Sequence, residues 1–424
     1  MFKVKSISIT GFWQSKEVDS SFRDDVNIII GKNGTGKTTF MNILRAVLTV
    51  DLDALYGNAF HSVTINLTDG KKTKKIFANK IEADPFPRIE YRISNRRYVV
   101  SLISPEDGKN LPLSMRRRFI EESSRIKQEL AELAAVASLS VYRIGGDPDL
   151  EFRERSPKRY ASTVDMRLAS LMQRLTQYQL ELSNQAREIS AGLQRDVLIS
   201  LLYSEEKAKN PGYTIEFDER IERQNLVSAY KQLGVSGTEV SKKIQDHIAT
   251  VTTTVKNLKS LSQKVGKEAE TKTVGLVDLS ALEAFKLTQT VITKSLAAEQ
   301  KTKAIFSQVD LFLQTLKTFV EDKTFTFSAG ELTVANEGSI PLEKLSSGEK
   351  QLLILFIEAL LQRKQPYIFL ADEPELSLHI SWQRHIVSAI RSLNPNAQII
   401  VATHSPEIAG KFRECILSTL SKVF

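Results

Sequence analysis

The spacing of apolar side chains changes along the chain, and each change predicts a different element. "MFKVKSISITGFWQ" at residues 1–14 alternates like a half-buried strand. Ile28 to Ile30 read as a buried strand running into a glycine-rich turn, and the pattern from Thr38 to Leu48 predicts a helix behind it. "HSVTINLTDGKKTKKIFA" (61–78) alternates on both sides of an Asp-Gly pair and predicts a hairpin, and "ASLSVYRIGG" (137–146) predicts one more strand. From about residue 161 to 320 glycine and proline thin out. Leu168, Leu171, Leu175, Tyr178, Leu182 and Ile189 take three-four spacing, interrupted at Gln185 and Gly192. Val240, Ile244, Ile248, Val251, Val255 and Leu258 repeat it, as do Ile305, Val309, Phe312, Leu316 and Phe319. Such seams suit a coiled coil, a long hairpin or a compact bundle, which periodicity alone does not separate. An Asn-Pro-Gly turn inside "EEKAKNPGYTIEFDE" (205–219) breaks the run.

Past residue 320 strands and helices alternate again. "KTFTFSAGELTVANEG" predicts a hairpin, "EKQLLILFIEALLQR" a helix, and "PYIFLADEP" a buried strand. "SWQRHIVSAIRSL" predicts another helix and "QIIVATHSPEI" a strand entering a loop. No solenoid period recurs. The expected organisation is an α/β lobe over 1–160, a helical coiled-coil insertion over 161–320, and a second α/β lobe over 321–424.

Composition narrows this picture. The chain has 424 residues, 42% hydrophobic and 25% charged, ordinary for a soluble globular protein. No apolar run approaches the ~20 residues that span a bilayer, and the first residues lack a signal-peptide core. One cysteine, Cys415, excludes an internal disulfide and a cysteine-built zinc site, and a cytoplasmic location is expected. Lysine and arginine number 58 against 50 acidic residues. "DGKKTKK" (69–75), "RIEYRISNRR" (88–97) and "MRRRF" (115–119) concentrate positive charge, and Lys242, Lys243, Lys256, Lys259, Lys264 and Lys267 line the helical segment. Such runs suit DNA phosphates, a solvated face, or an acidic partner protein. No base-reading motif accompanies them.

The densest chemistry lies at residues 28–40, "IIIGKNGTGKTTF". Gly31, Gly36, Lys37 and Thr38 fit the G-x-x-x-x-G-K-[ST] pattern, with Asn33, Gly34 and Thr39 in the same loop. In that pattern backbone amides cradle phosphates, the lysine reaches the β/γ oxygens and the hydroxyl binds Mg²⁺. Farther on, "YIFLADEPE" ends a buried strand on Asp372, placed to hold Mg²⁺, and Glu373, placed to deprotonate a water. His404 ends the next strand and suits a hydrogen bond to a γ-phosphate. In "LEKLSSGEKQ", Ser346, Ser347 and Gly348 precede a helix, offering donors for an anion or an ordinary serine cap.

In this order the four pieces resemble the ABC-type ATPase head: Walker A, then a signature ("LSSGE" for the commoner L-S-G-G-Q), then Walker B, then the switch histidine. "ELSLH" (Glu375 to His379) takes the D-loop position. About 300 residues separate Walker A from the signature, as in the split heads of the SMC and RecF group. "LSSGEKQLLIL", "LADEPELSLH" and "ATHSPEI" are most similar to the OLD-like ATPases of bacterial anti-phage defence. The resemblance implies ATP and Mg²⁺ as ligands. It implies catalytic roles for Glu373 and His404, and a homo-oligomer built from ATP-dependent head dimers in which each signature completes the partner's site. The chain stops twenty residues beyond His404, so a separate TOPRIM or HNH nuclease effector is expected, with a phage protein as a further partner. The competing expectation is a RecF-like or zinc-hook-type repair ATPase that clamps DNA, although no C-x-x-C is present. One departure stands out: between Thr39 and Gln128 there is no glutamine to serve as the Q-loop sensor.

Overall fold

The computed structural model describes residues 1–84, 86–104, 112–140, 163–200, 217–264 and 279–417. The end of the strand expected at 137–146, most of the Asn-Pro-Gly break and Lys267 lie outside the described residues. So do the side chains of Arg116, Arg117, Arg118, Leu258, Lys259 and Lys264. The described chain divides into two compact units, Met1–Tyr178 with Gln308–Phe424, and Gln179–Ser307.

The first unit is mixed α/β. Its strands are β1 (Lys3–Phe12), β2 (Lys16–Ser21), β3 (Val26–Ile30), β4 (Ser62–Thr68), β5 (Thr73–Ile81), β6 (Arg88–Ile93), β7 (Arg96–Ser101) and β8 (Val136–Ser140). They continue with β9 (Thr324–Ser328), β10 (Glu331–Asn336), β11 (Gly338–Ile340), β12 (Ile368–Asp372) and β13 (Gln398–Thr403). Six of them form an antiparallel sheet in the order β2-β1-β4-β5-β6-β7, four a parallel sheet in the order β3-β13-β12-β8, and three a small antiparallel sheet. The hairpin expected around Asp69-Gly70 is β4–β5, with Gly70 at φ 88°, a conformation glycine adopts without strain. The alternation there is real: Val63, Ile65 and Leu67 are buried while Thr64 and Asn66 are only half-buried.

The helix Lys37–Thr49 shares one hydrophobic core with both larger sheets. Phe40, Ile43, Leu44 and Val47 meet Ile7, Ile9, Val63 and Ile65 of the antiparallel sheet and Ile29, Leu370 and Ile400 of the parallel one. Gln398 pins the sheets at one end: its buried side chain accepts from Val4 N (2.8 Å) and donates to Val4 O and Arg23 O (both 2.7 Å). The helix Ser347–Leu361 is buried on nearly every side from Gly348 onward, as its run of leucines and isoleucines requires. Phe356 of that helix packs edge-on against Phe319, and Arg167 and Arg174 reach its buried Glu358 at 3.4 and 3.8 Å.

The second unit is helical. It holds the helices Glu219–Gln232 and Thr238–Lys264 with parts of the long helices Thr163–Ser200 and Leu279–Phe319. Leu226, Ile244, Ile248 and Ile292 form its small apolar core, so the seam read from Val240 onward faces inward. Phe217 packs edge-on to Phe285, and Gln289 and Ser295 hydrogen-bond Glu222 and Gln232.

Candidate functional site

The parallel sheet gathers the motifs. β3, β13 and β12 are neighbours, with Ile30 paired to Thr403 and Asp372 to Ala402. The Walker A loop, His404 and the Asp372–Glu373 pair therefore leave the sheet side by side at its carboxyl edge, where open α/β sheets take ligands. The sequence puts more than 300 residues between the phosphate loop and the other two pieces; strand order removes the distance.

The loop is shaped by its glycines. Gly34 and Gly36 sit at φ 78° and 99°, and a Cβ on Gly36 would lie 3.0 Å from Trp13 and 3.1 Å from Phe12. Side chains are thus excluded where the backbone turns into the helix Lys37–Thr49. Asn33, Gly34 and Thr38 are exposed, and Thr39 is half-buried. The Lys37 ammonium donates to Gly31 O (2.7 Å) and Lys32 O (2.8 Å), and lies 3.1 Å from His404 Nδ1. Burial lowers its pKa, opposed by the nearby carboxylates of Glu373, Asp372 and Glu375.

His404 stands between the lysine and the acid. Its Nε2 is 2.5 Å from Glu373 Oε1, and its Nδ1 is also 3.1 Å from Gly31 O. A proton on Nε2 and a lone pair on Nδ1 satisfy Glu373 and Lys37 together. Glu373 occupies a left-handed conformation at φ 49°, uncommon for a non-glycine residue, with its backbone N–H donating to Ala402 O (2.8 Å). That bond turns the chain back at the end of β12.

Asp372 has the chemistry of a candidate metal ligand. Burial pushes its carboxyl up to about 6, the Thr38 hydroxyl holding it down and Glu373 and Glu375 adding repulsion. Its Oδ1 is buried with no hydrogen-bond partner. A desolvated carboxylate with a free oxygen beside a threonine hydroxyl fits a hard, oxygen-liking cation, so Thr38 and Asp372 can hold Mg²⁺ together with nucleotide phosphates. Among the described residues, no group of three or more His, Cys, Asp or Glu side chains gathers into a self-sufficient metal cage.

Ser346, Ser347 and Gly348 open the helix Ser347–Leu361. The Ser346 hydroxyl is occupied: it closes a capping box with Glu349, whose Oε2 receives Ser346 N at 2.8 Å, while Lys323 reaches Glu349 Oε1 at 2.6 Å. Ser347 is exposed, and Gly348 is buried so tightly that a Cβ would lie 2.5 Å from Ser377 O. Among the described residues no hydrogen bond joins these three to the Walker A loop of the same chain. Two further residues also belong to the site: Trp13, with no role expected from sequence, and Glu375, placed by sequence only within the D-loop segment. Trp13 lies against Gly36, and Glu375 holds the turn that carries His404. The third acid of "DEPE" was the signal available for Glu375. Gln128, the first glutamine after Walker A, is exposed on the helix Leu113–Leu133.

The basic segments are partly neutralised. Glu90, 3% exposed, pairs with both Arg92 (2.5 Å) and Arg97 (2.8 Å), and Lys243 pairs with Glu239 (2.9 Å).

A glycine-shaped phosphate loop with Lys37, beside an acidic pair and a histidine on adjacent parallel strands, defines a P-loop ATPase. The chain belongs to the AAA ATPase domain family, which matches residues 2–409, and it binds and hydrolyses ATP. It is 24% identical over 425 aligned positions to a retron Vc95 probable ATPase of Vibrio cholerae, covering 95% of this chain and 70% of that one. Shorter matches are a retron Ec83 probable ATPase of Escherichia coli (35% over 118 residues, 22% of each chain) and the DNA replication and repair protein RecF of Lactobacillus acidophilus. The RecF match is 33% identical over 138 residues, 27% of this chain and 35% of RecF. Among solved structures, the Smc head domains of Pyrococcus furiosus and Pyrococcus yayanosii align over 96% of this chain and 91% and 93% of theirs. Their identities are 14% and 15% and their TM-scores 0.41 and 0.42. Among the described residues no helix is long and apolar enough to cross a membrane.

Proposed function

We propose that the chain is the ATP-driven sensor and scaffold subunit of a bacterial anti-phage defence complex, governing a separate toxic nuclease. The observation that carries this reading is the extent of the likeness to the retron ATPase, 95% of this chain, against 27% for RecF. Of the defence systems with this layout, the chain length and modest helical segment favour an AriA-like subunit of the PARIS system working with an AriB-like TOPRIM protein. PtuA of Septu with its HNH nuclease is the second choice.

In this reading the Lys37 ammonium and the Walker A amides bind the β and γ phosphates of ATP, while Thr38 and Asp372 would hold Mg²⁺, which would offset phosphate charge. Glu373 takes a proton from water as its oxygen attacks the γ phosphorus. The bond to the bridging oxygen breaks, and ADP leaves with that oxygen. His404 orients Glu373 and hydrogen-bonds the γ-phosphate. Ser347 and Gly348 face the nucleotide of a second copy, so ATP closes a head dimer.

The experiment is co-purification with the product of the adjacent gene, followed by native mass measurement with and without ATP. A small nuclease or toxin held in a complex that Lys37→Ala disrupts is the expected result. A chain that binds duplex DNA in an ATP-dependent clamp, with no toxic neighbour, supports the repair reading, which the 33% identity to RecF over 138 residues favours.

A further inference from the structure

Glu375 lies outside the residues that would touch nucleotide, yet the turn carrying His404 is folded around it. Its Oε1 lies 2.5 Å from Thr403 Oγ1, 2.9 Å from His404 N and 3.3 Å from Ser405 N, three consecutive residues at the end of β13. Thr403 Oγ1 accepts in turn from Ser405 N at 2.9 Å. The other carboxylate oxygen, Oε2, is buried without a hydrogen-bond partner. Burying a carboxylate is unfavourable unless its donors compensate, and here all three donors come from this one turn.

The same segment meets the signature helix. Ser377 stands at φ 67°, and its carbonyl fills the space where any side chain on Gly348 would project, 2.5 Å from an ideal Cβ. The turn is secured from a second side as well. Ser405 Oγ donates to Gln383 Oε1 (2.7 Å), and Gln383 Nε2 donates to Leu378 O (3.0 Å). One continuous path therefore runs from Gly348 through Ser377 and Glu375 to the backbone of His404.

We propose that Glu375 is the positioning residue for His404. By holding the backbone of 403–405 it sets the imidazole so that Nε2 meets Glu373 and Nδ1 meets Lys37. It also makes 375–378 the link through which displacement of the signature-helix N terminus reaches the histidine of the same chain. The inference rests on the reading of Glu373 and His404 as hydrolytic machinery. Small misplacements of such groups are enough to slow a reaction by about 100-fold.

The test is a double-mutant cycle in steady-state ATP hydrolysis with ATP affinity measured in parallel, on wild type, Glu375→Ala, His404→Ala and the double variant. Glu375→Ala is expected to lower kcat by about 10- to 100-fold while ATP affinity changes by less than about threefold. Glu375→Gln, whose amide oxygen still accepts from the same donors, should recover most of kcat. In the His404→Ala background the Glu375 change should have no further effect. An equal fall in that background, or a normal kcat for Glu375→Ala, overturns the proposal. A normal kcat for His404→Ala overturns the underlying reading of the histidine and the positioning role with it; a slow His404→Ala beside a fast Glu375→Ala overturns the positioning role alone. Should Glu375→Ala fail to fold, Glu375→Asp, which withdraws the carboxylate by one methylene, takes its place in the same cycle and is judged by the same outcomes.

Discussion

His404 Nε2 and Glu373 Oε1 lie 2.5 Å apart, although 31 residues separate them in the chain. The contact exists because β12 and β13 are parallel neighbours in register, so the residues just beyond their carboxyl ends meet. An imidazole donating to the carboxylate orients it and leaves its second oxygen for a water proton. Replacing His404 with alanine should therefore lower kcat by about 100-fold, within the usual range for a lost acid–base partner, and leave ATP affinity nearly unchanged. Phosphate release paired with equilibrium ATP titration checks this, and an unchanged kcat would reduce the imidazole to a structural group.

Lys37 brings a buried positive charge to the phosphate loop, where the Gly31 and Lys32 carbonyls and the His404 ring are its hydrogen-bond acceptors among the described residues. Truncation to alanine removes the compact charge proposed to meet the β/γ oxygens. ATP binding by calorimetry or filter assay should weaken by at least about 100-fold, in line with loss of a charge-assisted bond in a desolvated site. Retained tight binding would contradict the assignment of the loop.

The cap of the helix Ser347–Leu361 separates structure from function at the signature. Ser346→Ala removes one reciprocal hydrogen bond of a capping box and should cost about 1 kcal/mol of stability, read as a lower melting temperature. Burial pushes the Glu349 carboxyl up, but the bonds from Lys323 and Ser346 together bring it below its ordinary value. A depressed folded pKa stabilises the fold above the unfolded value and loses that stabilisation as pH falls through the folded one. Glu349→Gln should thus melt earlier than wild type at pH 7, and the gap should close as the pH is taken below the ordinary carboxylate range. A gap that persists in acid would mean the charge on Glu349 contributes nothing.

Periodicity in the sequence was enough to mark β1, β3, the β4–β5 hairpin, the helix Lys37–Thr49 and the later strands, because each buries one face or both. What it could not show was that β13 inserts between β3 and β12. That order depends on pairings between residues more than 350 positions apart, and local spacing carries no trace of them. Walker A, Asp372, Glu373 and His404 were legible as motifs, whereas the hold of Glu375 on Thr403, His404 and Ser405 was not. A carboxylate in a loop has many uses until its donors are known. The S-x-x-E spacing of Ser346 and Glu349 did carry the capping box, and the Ser346 hydroxyl is consumed there. The basic run at 88–97 suited DNA phosphates, a solvated face or an acidic partner equally in the sequence, and Glu90 within it pairs with two of its arginines.

Ser347 is exposed at the start of its helix, so a bulky charge there should leave the monomer folded and its own Walker A contacts intact. Ser347→Arg should block closure over a partner's ATP by steric obstruction of the helix N terminus. Mixed with Lys37→Ala, it leaves one composite site doubly broken and the other whole. ATPase activity in the mixture should exceed the sum of the two variants alone. Heterodimers confirmed by mass but without activity, beside active heterodimers carrying one wild-type subunit, would place the signature in cis.

ATP bound at Lys37 is proposed to close two copies of this chain, and Glu373 to reopen them by hydrolysis. Native mass and single-turnover hydrolysis of Glu373→Gln with ATP and Mg²⁺ test it directly, since the amide keeps the side chain's shape but cannot take the proton. The expected result is an ATP-bound dimer, or a multiple of it, that accumulates while hydrolysis slows by about 100-fold or more. A Glu373→Gln protein that hydrolyses ATP at the wild-type rate, or that binds ATP without any change in mass, would contradict it.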